Sequence, residues 1–505
     1  MKKELQAANS KKLSMFQEVY PICEPHAYAA VVREPATQKM RYEVIEPTLR
    51  EREKNQLREI KDLLVEEINV SLKDLETKEK AKEYLENKVR EIVQDYRMKV
   101  AEEAMDKLLY YIVRDFIGYG KIDPLMKDHM IEDISADGVN IPIYVWHREY
   151  ESLPTNIIFK EADELNSFTI RLAYLARKHI SVARPMLDAA LPDGSRVQLT
   201  YGSEITRRGS TFTIRRFRVD PLTISDLISF NTLSSEVAAY FWYAIENRAS
   251  ILVAGGVAAG KTTTLNCLSM FIEPELKIVS VEDTAELNLP HENWIPSVVR
   301  PGFGSDEERT GAITLFDLLK AAVRQRPDYI IVGEVRGEEA YTLFQAMATG
   351  HLGMSTVHAE SVGAVFHRLE SEPMNIPRAL LTMIDIVMVQ LRTEVDGKPA
   401  RRALTVTEVM SLDPRTKDLL TNNVYRWNSK RDAFLYSGHS YVLESNMKKM
   451  GLGEDEVRAE LHRRKTVLEW MVKNNIRRYT DVASVIREYY VDPDRVYRRA
   501  RVGAL

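Results

Sequence analysis

The stretch from residue 255 to residue 262 constrains the fold of this chain more than any other part of its sequence. It matches the pattern G-x-x-x-x-G-K-[ST] and reads Gly255-Gly256-Val257-Ala258-Ala259-Gly260-Lys261-Thr262. The glycines let backbone N–H groups turn inward around phosphate oxygens without a Cβ clash. An apolar run at 251–254 predicts a buried strand before the loop, and residues 263–268 predict the opening of a helix after it. This order of strand, loop and helix predicts a phosphate-binding P-loop in an α/β domain.

The P-loop assigns a separate role to each of its last residues. Lys261 is expected to reach the β- and γ-phosphates of a bound nucleotide, and the Thr262 hydroxyl is expected to ligate Mg²⁺. The predicted ligands are therefore ATP and Mg²⁺, and Thr263 at the start of the helix joins the binding set.

The bulk composition places the chain among ordinary globular proteins. Its 505 residues allow two to four domains, and 29% charged with 45% hydrophobic residues is typical of a soluble composition. The net charge of -4 gives no global attraction to nucleic acid. Two distant cysteines, Cys23 and Cys267, exclude a disulfide scaffold and suit a reducing cytoplasm. No signal peptide and no membrane-spanning apolar run is predicted, so a membrane role is expected to act through a partner.

Changes in pattern along the chain predict five parts. These are a mostly helical accessory region at 1–117, an α+β domain at 118–220, a linker with helices at 221–250, a P-loop core at 251–400, and an α/β-to-helical region at 401–505. Apolar residues at helical spacing between 51 and 116 predict an amphipathic helix pair packed on the core, and the heptads are too short for a coiled coil. Strands alternate with helices after residue 251, which predicts a parallel sheet covered by helices.

Three further elements downstream of the P-loop carry candidate chemistry. The apolar run 328–333 ends in Glu334, where a carboxylate can orient and deprotonate an attacking water. Glu282 and Asp283, followed by Glu286, close another predicted strand and suit Mg²⁺ and water positioning, although a solvated turn explains them equally well.

Two histidines complete the set. His351 and His358 flank a short predicted strand, and they are interpreted either as sensors of the γ-phosphate or as two buried structural residues. Zinc is not expected, because no third Cys or His stands at ligand spacing.

These four elements in this order resemble one family, the hexameric ATPases of type II/IV secretion, which includes secretion, pilus, conjugation and archaellum motors. The resemblance covers residues 118–400. Residues 255–262 are similar to its Walker A motif, and Glu282-Asp283 with Glu286 to its Asp box. Residues 333–336 are similar to its Walker B motif, which implies that Glu334 is the catalytic glutamate, and residues 350–358 to its His box. The resemblance implies a RecA-like P-loop ATPase domain preceded by an α+β, PAS-like domain and a helical N-terminal region.

Two upstream segments also resemble the family, namely residues 118–125 and residues 191–196. In this family such a domain lends arginines to the nucleotide of a neighbouring subunit. Arg196 is the first candidate for that role. The weaker candidates, each of which is better interpreted as an ordinary surface arginine, are Arg171, Arg207, Arg208 and Arg215.

Departures from the family pattern indicate a branch. Val257 and Ala258 replace hydroxyl residues of the usual Walker A motif, but the loop backbone can still bind phosphate. The chain lacks the tetracysteine zinc motif of bacterial type II members, and Gly337 stands where many bacterial members have Asp. Both departures fit the archaeal branch.

The resemblance implies a cytoplasmic homo-hexameric ring at the inner face of the cell membrane. ATP hydrolysis is expected to move a polytopic membrane platform protein that assembles, retracts or rotates a filament or pseudopilus, or exports a substrate. A RecA-like nucleic-acid motor is the alternative, but the net charge and the lack of a basic–aromatic stripe argue against nucleic acid as a partner. A scaffold that binds nucleotide without turnover is a third reading, and Glu334 argues against it.

Overall fold

The computed structural model describes residues 16–35, 37–68, 77–217, 220–300 and 311–504. The chain divides into two compact units, residues 1–217 and 218–505. Each unit contains one nine-stranded sheet. The predicted α/β class, with a P-loop domain that follows an α+β domain, is confirmed.

The first unit combines a mostly antiparallel sheet with helices. Its elements in chain order are β1 (Phe16–Cys23), β2 (Ala27–Arg33), β3 (Met40–Ile45), α1 (Glu51–Glu67), α2 (Lys78–Asp95), α3 (Glu102–Phe116), α4 (Asp123–Lys127), β4 (Ile131–Ala136), β5 (Pro142–His147), β6 (Glu151–Ile158), α5 (Ala162–Leu175), β7 (Met186–Ala190), β8 (Arg196–Thr200) and β9 (Thr211–Arg215). The strand order is β1-β2-β3-β6-β5-β4-β9-β8-β7.

The N-terminal strands continue the sheet of the later part of this unit. Strand β3 meets β6 in parallel through Tyr42 and Thr155. The Asn156 side chain extends the junction, since its amide donates to the Val44 carbonyl at 2.9 Å and its oxygen accepts from the Val44 N–H at 2.9 Å. Residues before and after the predicted boundary at 117/118 therefore share one sheet, so the N-terminal region is not a separate helical part.

The three long helices of the first unit pack on one another. Ile60 and Leu64 of α1 are buried against residues of α2 and α3, including Leu85 and Leu108. The predicted helix pair is in fact three helices, because α2 ends at Asp95 and the backbone turns at Arg97, with φ 51°, before α3 begins at Glu102. The helices have their own apolar cluster, so they do not depend on the sheet core for burial.

The second unit is a sheet covered by helices. Its elements in chain order are α6 (Ile224–Ser229), α7 (Ser235–Glu246), β10 (Ile251–Gly255), α8 (Lys261–Ser269), β11 (Ile278–Glu282), β12 (Trp294–Val298), α9 (Leu315–Arg324), β13 (Tyr329–Val332), α10 (Glu339–Ala348), β14 (Leu352–Val357), α11 (Val362–Glu370), α12 (Arg378–Leu381), β15 (Ile386–Val395), β16 (Lys398–Leu412), β17 (Leu419–Asn428), β18 (Ala433–Tyr436), α13 (Tyr441–Met450), α14 (Glu454–Lys473), α15 (Tyr479–Val491) and α16 (Pro493–Ala504).

Strand direction in this unit positions the candidate residues. The strand order is β12-β11-β13-β14-β10-β15-β16-β17-β18. The strands from β12 to β15 run parallel, and β15 to β18 pair antiparallel. Strands β10, β11, β13 and β14 are buried along nearly their whole length because apolar clusters cover both faces of the sheet. Their carboxyl ends therefore meet at one edge, where ligands bind in sheets of this kind.

The C-terminal region belongs to the same unit as the P-loop. The predicted boundary at 400/401 falls inside β16, and the hairpin strands after it extend the P-loop sheet. Helices α14 to α16 bury Val467, Val485 and Val496 in the apolar cluster that also contains Val253 of β10. No helix in the described part of the chain is both long enough and apolar enough to cross a lipid bilayer.

Candidate active site

The P-loop lies between strand β10 and helix α8, which is the order of strand, loop and helix that the sequence predicted. Ala258 and Gly260 both have positive φ, 57° and 90°, which turns the loop sharply before the helix. A Cβ on Gly255 would lie 2.5 Å from the carbonyl oxygen of Gln390, so only glycine lets the end of β10 pack this closely on β15. Thr262 and Thr263 are half-buried in the first turn of α8, where they remain accessible to a ligand.

Lys261 folds back onto its own loop. Its Nζ donates to the Gly256 carbonyl at 3.0 Å and lies 3.3 Å from Nδ1 and 3.4 Å from Nε2 of His358. Lys261 is only 7% exposed, and this burial lowers the pKa of its amine, against the opposing effect of Glu334. The ammonium thus lacks a full set of strong partners, and a phosphate would supply them.

His358 lies between the P-loop lysine and the predicted base. Its Nε2 lies 3.5 Å from Oε1 of Glu334, just after β13. Burial and the neighbouring Lys261 lower the pKa of the imidazole, so the neutral ring is favoured at neutral pH. The structure therefore brings together Lys261, Glu334 and His358, which the sequence had placed in three separate motifs.

The turn that carries Glu334 is fixed on both sides. The Thr356 hydroxyl donates to the Gly333 carbonyl at 2.7 Å, and the Val335 N–H donates to the Thr356 carbonyl at 2.9 Å. The buried carboxylate of Glu339 accepts hydrogen bonds at 2.8 Å from the backbone N–H groups of Arg336 and Gly337. Sequence reasoning missed Glu339, although a carboxylate three residues after a turn is a known capping signal.

Glu282 lies at the carboxyl end of β11, close to the Glu334 turn. A Cβ on Gly333 would lie 3.2 Å from Cγ of Glu282. Oε1 of Glu282 accepts the backbone N–H groups of Glu286 and Leu287, each at 3.0 Å. Burial nevertheless raises the pKa of this carboxyl to about 7, and the negative charge of Glu286 acts in the same direction.

The donor set at this edge fits Mg²⁺. A threonine hydroxyl at the start of α8 and a buried carboxylate at the end of β11 are hard oxygen ligands of the kind that Mg²⁺ prefers. Thr262 and Glu282 would hold the ion. The second predicted carboxylate, Asp283, instead forms an ion pair with Arg336, so its carboxylate is already engaged.

The prediction for His351 is wrong. His351 precedes β14 and His358 follows it, so the six-residue strand separates them by roughly 20 Å. His351 lies at the amino edge of the sheet, where its Nδ1 is 2.9 Å from the Pro327 carbonyl. In a parallel sheet that edge is opposite to the P-loop, so His351 cannot approach a γ-phosphate bound there.

The candidate arginines all lie in the first unit. Arg196 begins β8, is 44% exposed in its side chain, and forms an ion pair with Asp188 at 2.5 Å. Arg171 donates to the Gly118 carbonyl at 2.6 Å, and Arg215 pairs with Asp133 at 3.3 Å. Arg207 and Arg208 lie in the turn between β8 and β9. Their role toward a neighbouring subunit stays a prediction.

Sequence reasoning missed two residues that contact the P-loop from the strands after it. Oε1 of Gln390 accepts from the buried Thr264 hydroxyl at 2.9 Å, and Nε of Arg401 donates to the Ala258 carbonyl at 3.1 Å. No local motif surrounds either residue. The one available signal is a polar Gln that directly follows the four apolar residues at the start of β15.

The family profile described as "Type II/IV secretion system protein" matches residues 118–430, which is more than half of the chain. The chain belongs to this family. An uncharacterized protein of Methanocaldococcus jannaschii is 36% identical over 502 residues, which cover 95% of this chain and 90% of that protein. This relative fits the archaeal branch that Gly337 and the missing tetracysteine motif indicated.

Members of the type II/IV secretion family with more specific names are also similar over part of the chain. The type IV secretion system protein PtlH of Bordetella pertussis is 32% identical over 311 residues, covering 54% of this chain and 88% of that protein. Among solved structures, the pilus retraction motor PilT with bound ADP is 19% identical, with a TM-score of 0.40, and the match covers 66% of this chain and 88% of that one.

Proposed function

We propose that this protein is a Mg²⁺-dependent ATPase that forms a homo-hexameric ring and drives a type II/IV-type secretion or filament machine. The observation that carries the proposal is the convergence of Lys261, His358 and Glu334 beside the P-loop, at the carboxyl edge of the parallel sheet. Lys261 supplies a cation that binds phosphate, and Glu334 supplies a base. The neutral ring of His358 lies between them.

In this proposal each residue acts on bound ATP. The backbone N–H groups of residues 256–262 and the Lys261 amine bind the β- and γ-phosphates. The Glu334 carboxylate orients the attacking water and takes its proton as the γ-phosphate leaves. When Mg²⁺ is bound, Thr262 and Glu282 would hold it, and the ion would neutralise part of the phosphate charge. His358 contacts both Lys261 and Glu334, so it reports the state of the phosphate site to the β14–α11 segment.

The mechanical role follows from the family. Hydrolysis in a cytoplasmic ring at the inner face of the membrane would move a polytopic platform protein, which in turn assembles, retracts or rotates a filament or exports a substrate. The PtlH similarity and the family profile support a role in secretion in general.

Steady-state phosphate release by the purified chain tests this proposal. We expect release that needs Mg²⁺ and depends on protein concentration as the ring assembles, with no stimulation by duplex or single-stranded DNA. Native mass spectrometry is expected to find hexamers in the presence of nucleotide. Turnover that appears only with DNA would support the nucleic-acid motor instead, and absence of nucleotide binding would contradict both.

A further inference from the structure

Three consecutive backbone N–H groups after the end of β11 bind two different side chains. The N–H groups of Glu286 and Leu287 donate to Oε1 of Glu282, each at 3.0 Å. The next N–H group, that of Asn288, donates to Oδ1 of Asn266 at 2.9 Å. One turn of backbone therefore holds the Glu282 carboxylate and is itself held by the Asn266 side chain.

Asn266 belongs to α8, the helix that begins at the P-loop lysine. It follows Thr262 by four residues, so the two side chains share one face of the helix and lie about one turn apart. Because Oδ1 of Asn266 accepts the Asn288 N–H, this face is directed at the segment that follows β11. The face of α8 that carries Thr262 is therefore directed at the segment that orients Glu282.

Apolar packing also keeps this segment beside α8. Leu287 and Leu289 are 2% and 5% exposed, and they lie in the apolar cluster that contains Leu265 of α8. Apolar burial is non-directional, whereas a hydrogen bond joins two particular atoms. The Asn266 bond therefore fixes the register of the backbone N–H groups that hold Glu282.

The oxygen of the Asn266 side chain accounts for an amide at this position. Asn266 is 3% exposed, and its Nδ2 is buried without a hydrogen-bond partner among the residues that the structure describes. Burying an unpaired N–H group destabilises a fold, so packing alone would favour an apolar residue of similar size. The part of the side chain that makes a specific contact is Oδ1, which accepts the Asn288 N–H.

We propose that Asn266 is a positioning residue for Mg²⁺, which sets the place of the Glu282 carboxylate relative to the Thr262 hydroxyl. This inference rests on the proposed Mg²⁺-dependent ATPase function. The two expected ligands belong to different elements, α8 and β11, and the bond from Asn288 to Asn266 joins α8 to the turn that holds Glu282. Residues that orient a metal ligand commonly change metal affinity when they are substituted.

Isothermal titration of the full chain with the slowly hydrolysed analogue AMP-PNP, in saturating Mg²⁺ and in EDTA, tests this role without any turnover. By thermodynamic linkage, a change in the ratio of the two affinities equals the change in the Mg²⁺ affinity of the protein–nucleotide complex. Asn266→Leu is expected to lower this ratio by about 10- to 100-fold, as for loss of a residue that orients a metal ligand. The affinity in EDTA is expected to stay near the wild-type value, because the loop backbone still binds phosphate.

Two further variants and a control identify the atom responsible. Asn266→Ala also removes the oxygen and should lower the ratio as Asn266→Leu does, so the test does not depend on the folding of one variant. Asn266→Asp keeps the size and an oxygen that accepts the Asn288 N–H, so it should retain most of the Mg²⁺ effect. Ser269→Ala is the matched control, because Ser269 is a buried residue of the same helix whose hydroxyl donates to the Leu265 carbonyl at 2.7 Å. It should leave the ratio unchanged.

The outcomes separate the positioning role from the proposed function. A wild-type ratio in Asn266→Leu and Asn266→Ala would overturn the positioning role alone. An equal loss of affinity in EDTA and in Mg²⁺ would also overturn it, because the defect would then lie in phosphate binding. The same would follow if Asn266→Asp lost the Mg²⁺ effect as fully as Asn266→Leu. A wild-type chain that binds no nucleotide would overturn the proposed function as well.

Discussion

Nε2 of His358 lies 3.5 Å from Oε1 of Glu334, and the same nitrogen lies 3.4 Å from Nζ of Lys261. One imidazole thus contacts the group that is expected to bind phosphate and the group that is expected to activate water. A change in the position or charge of either group alters the environment of the ring. The three side chains therefore form one functional unit, and each can be tested separately.

Lys261→Ala is expected to abolish hydrolysis and to remove most of the ATP affinity, because the variant loses the cation that reaches the β- and γ-phosphates. Binding of a fluorescent ATP analogue and phosphate release measure the two effects. Lys277→Ala is a matched control, since Lys277 precedes β11 at the other edge of the sheet and its Nζ donates to the Gln325 carbonyl. Near-normal turnover in Lys261→Ala would contradict the P-loop assignment.

The two histidines are expected to behave differently. His358→Ala should leave ATP affinity nearly intact and slow turnover, because the ring contacts the reacting groups without replacing Glu334 as the base. His351→Ala should lower the melting temperature with a normal rate per folded molecule, because its ring lies at the amino edge, with Nδ1 2.9 Å from the Pro327 carbonyl. Steady-state rates beside thermal melts measure both. The same kinetic defect in both variants would contradict the separation of the two residues.

Glu282 is expected to make stability depend on pH. Its carboxyl has a pKa of about 7 in the folded chain, against 4.5 in the unfolded chain. The folded state therefore binds the extra proton, and this contribution to stability is complete below pH 4.5 and is lost as pH rises through about 7. The difference corresponds to about 3 kcal/mol at most.

Urea unfolding of wild type and Glu282→Gln across this pH range measures that contribution. Without nucleotide, Glu282→Gln should gain stability relative to wild type as pH rises from 5 toward about 8, because the amide cannot ionise. Saturating Mg²⁺ and nucleotide should reduce the gain, since a cation beside the carboxylate favours its ionised form. A constant difference between the two proteins across the range would contradict the raised pKa.

Arg196 is expected to act across a subunit interface. If it reaches the γ-phosphate of a neighbour, Arg196→Ala should lower turnover by about 10³-fold, as for loss of an arginine supplied in trans. Mixing Arg196→Ala with Lys261→Ala subunits should restore some activity, because mixed interfaces pair an intact P-loop with an intact arginine. Arg41→Ala is the control, because Arg41 is an exposed arginine of the first unit that lies on β3 and pairs with Glu43. No rescue in variants that co-assemble would contradict the assignment.

Local patterns predicted the strands that carry the P-loop and Glu334. Strand β13 begins and ends at Tyr329 and Val332 as its apolar run indicated, and the P-loop follows β10. Strands β1 and β7 were missed, because neither contains a fully buried residue and neither has a continuous apolar run in its sequence. Because β14 runs parallel to β10, the residue before β14 lies at the amino edge of the sheet and the residue after it lies at the carboxyl edge. The interpretation of His351 from the sequence did not take this direction into account.

The sequence alone did not predict contacts between segments that are far apart along the chain. Arg401 and the P-loop meet only because β15 and β16 extend the parallel sheet beside β10. The same extension places the predicted boundary at 400/401 inside a strand. The ion pair of Asp283 with Arg336 likewise joins two motifs. The sequence shows that the two residues have opposite charges, but it does not show that they lie close together.

Comparison of Glu334→Gln with wild type tests the central claim most directly. Glu334→Gln keeps the size and hydrogen-bonding capacity of the side chain and loses the base. We expect Glu334→Gln to bind ATP with a dissociation constant within a few-fold of wild type. Phosphate release should be at least about 10²-fold slower, because loss of a general base usually lowers the rate by this much. Unchanged phosphate release, or loss of ATP binding before any loss of turnover, would contradict the assignment of Glu334 as the residue that activates water.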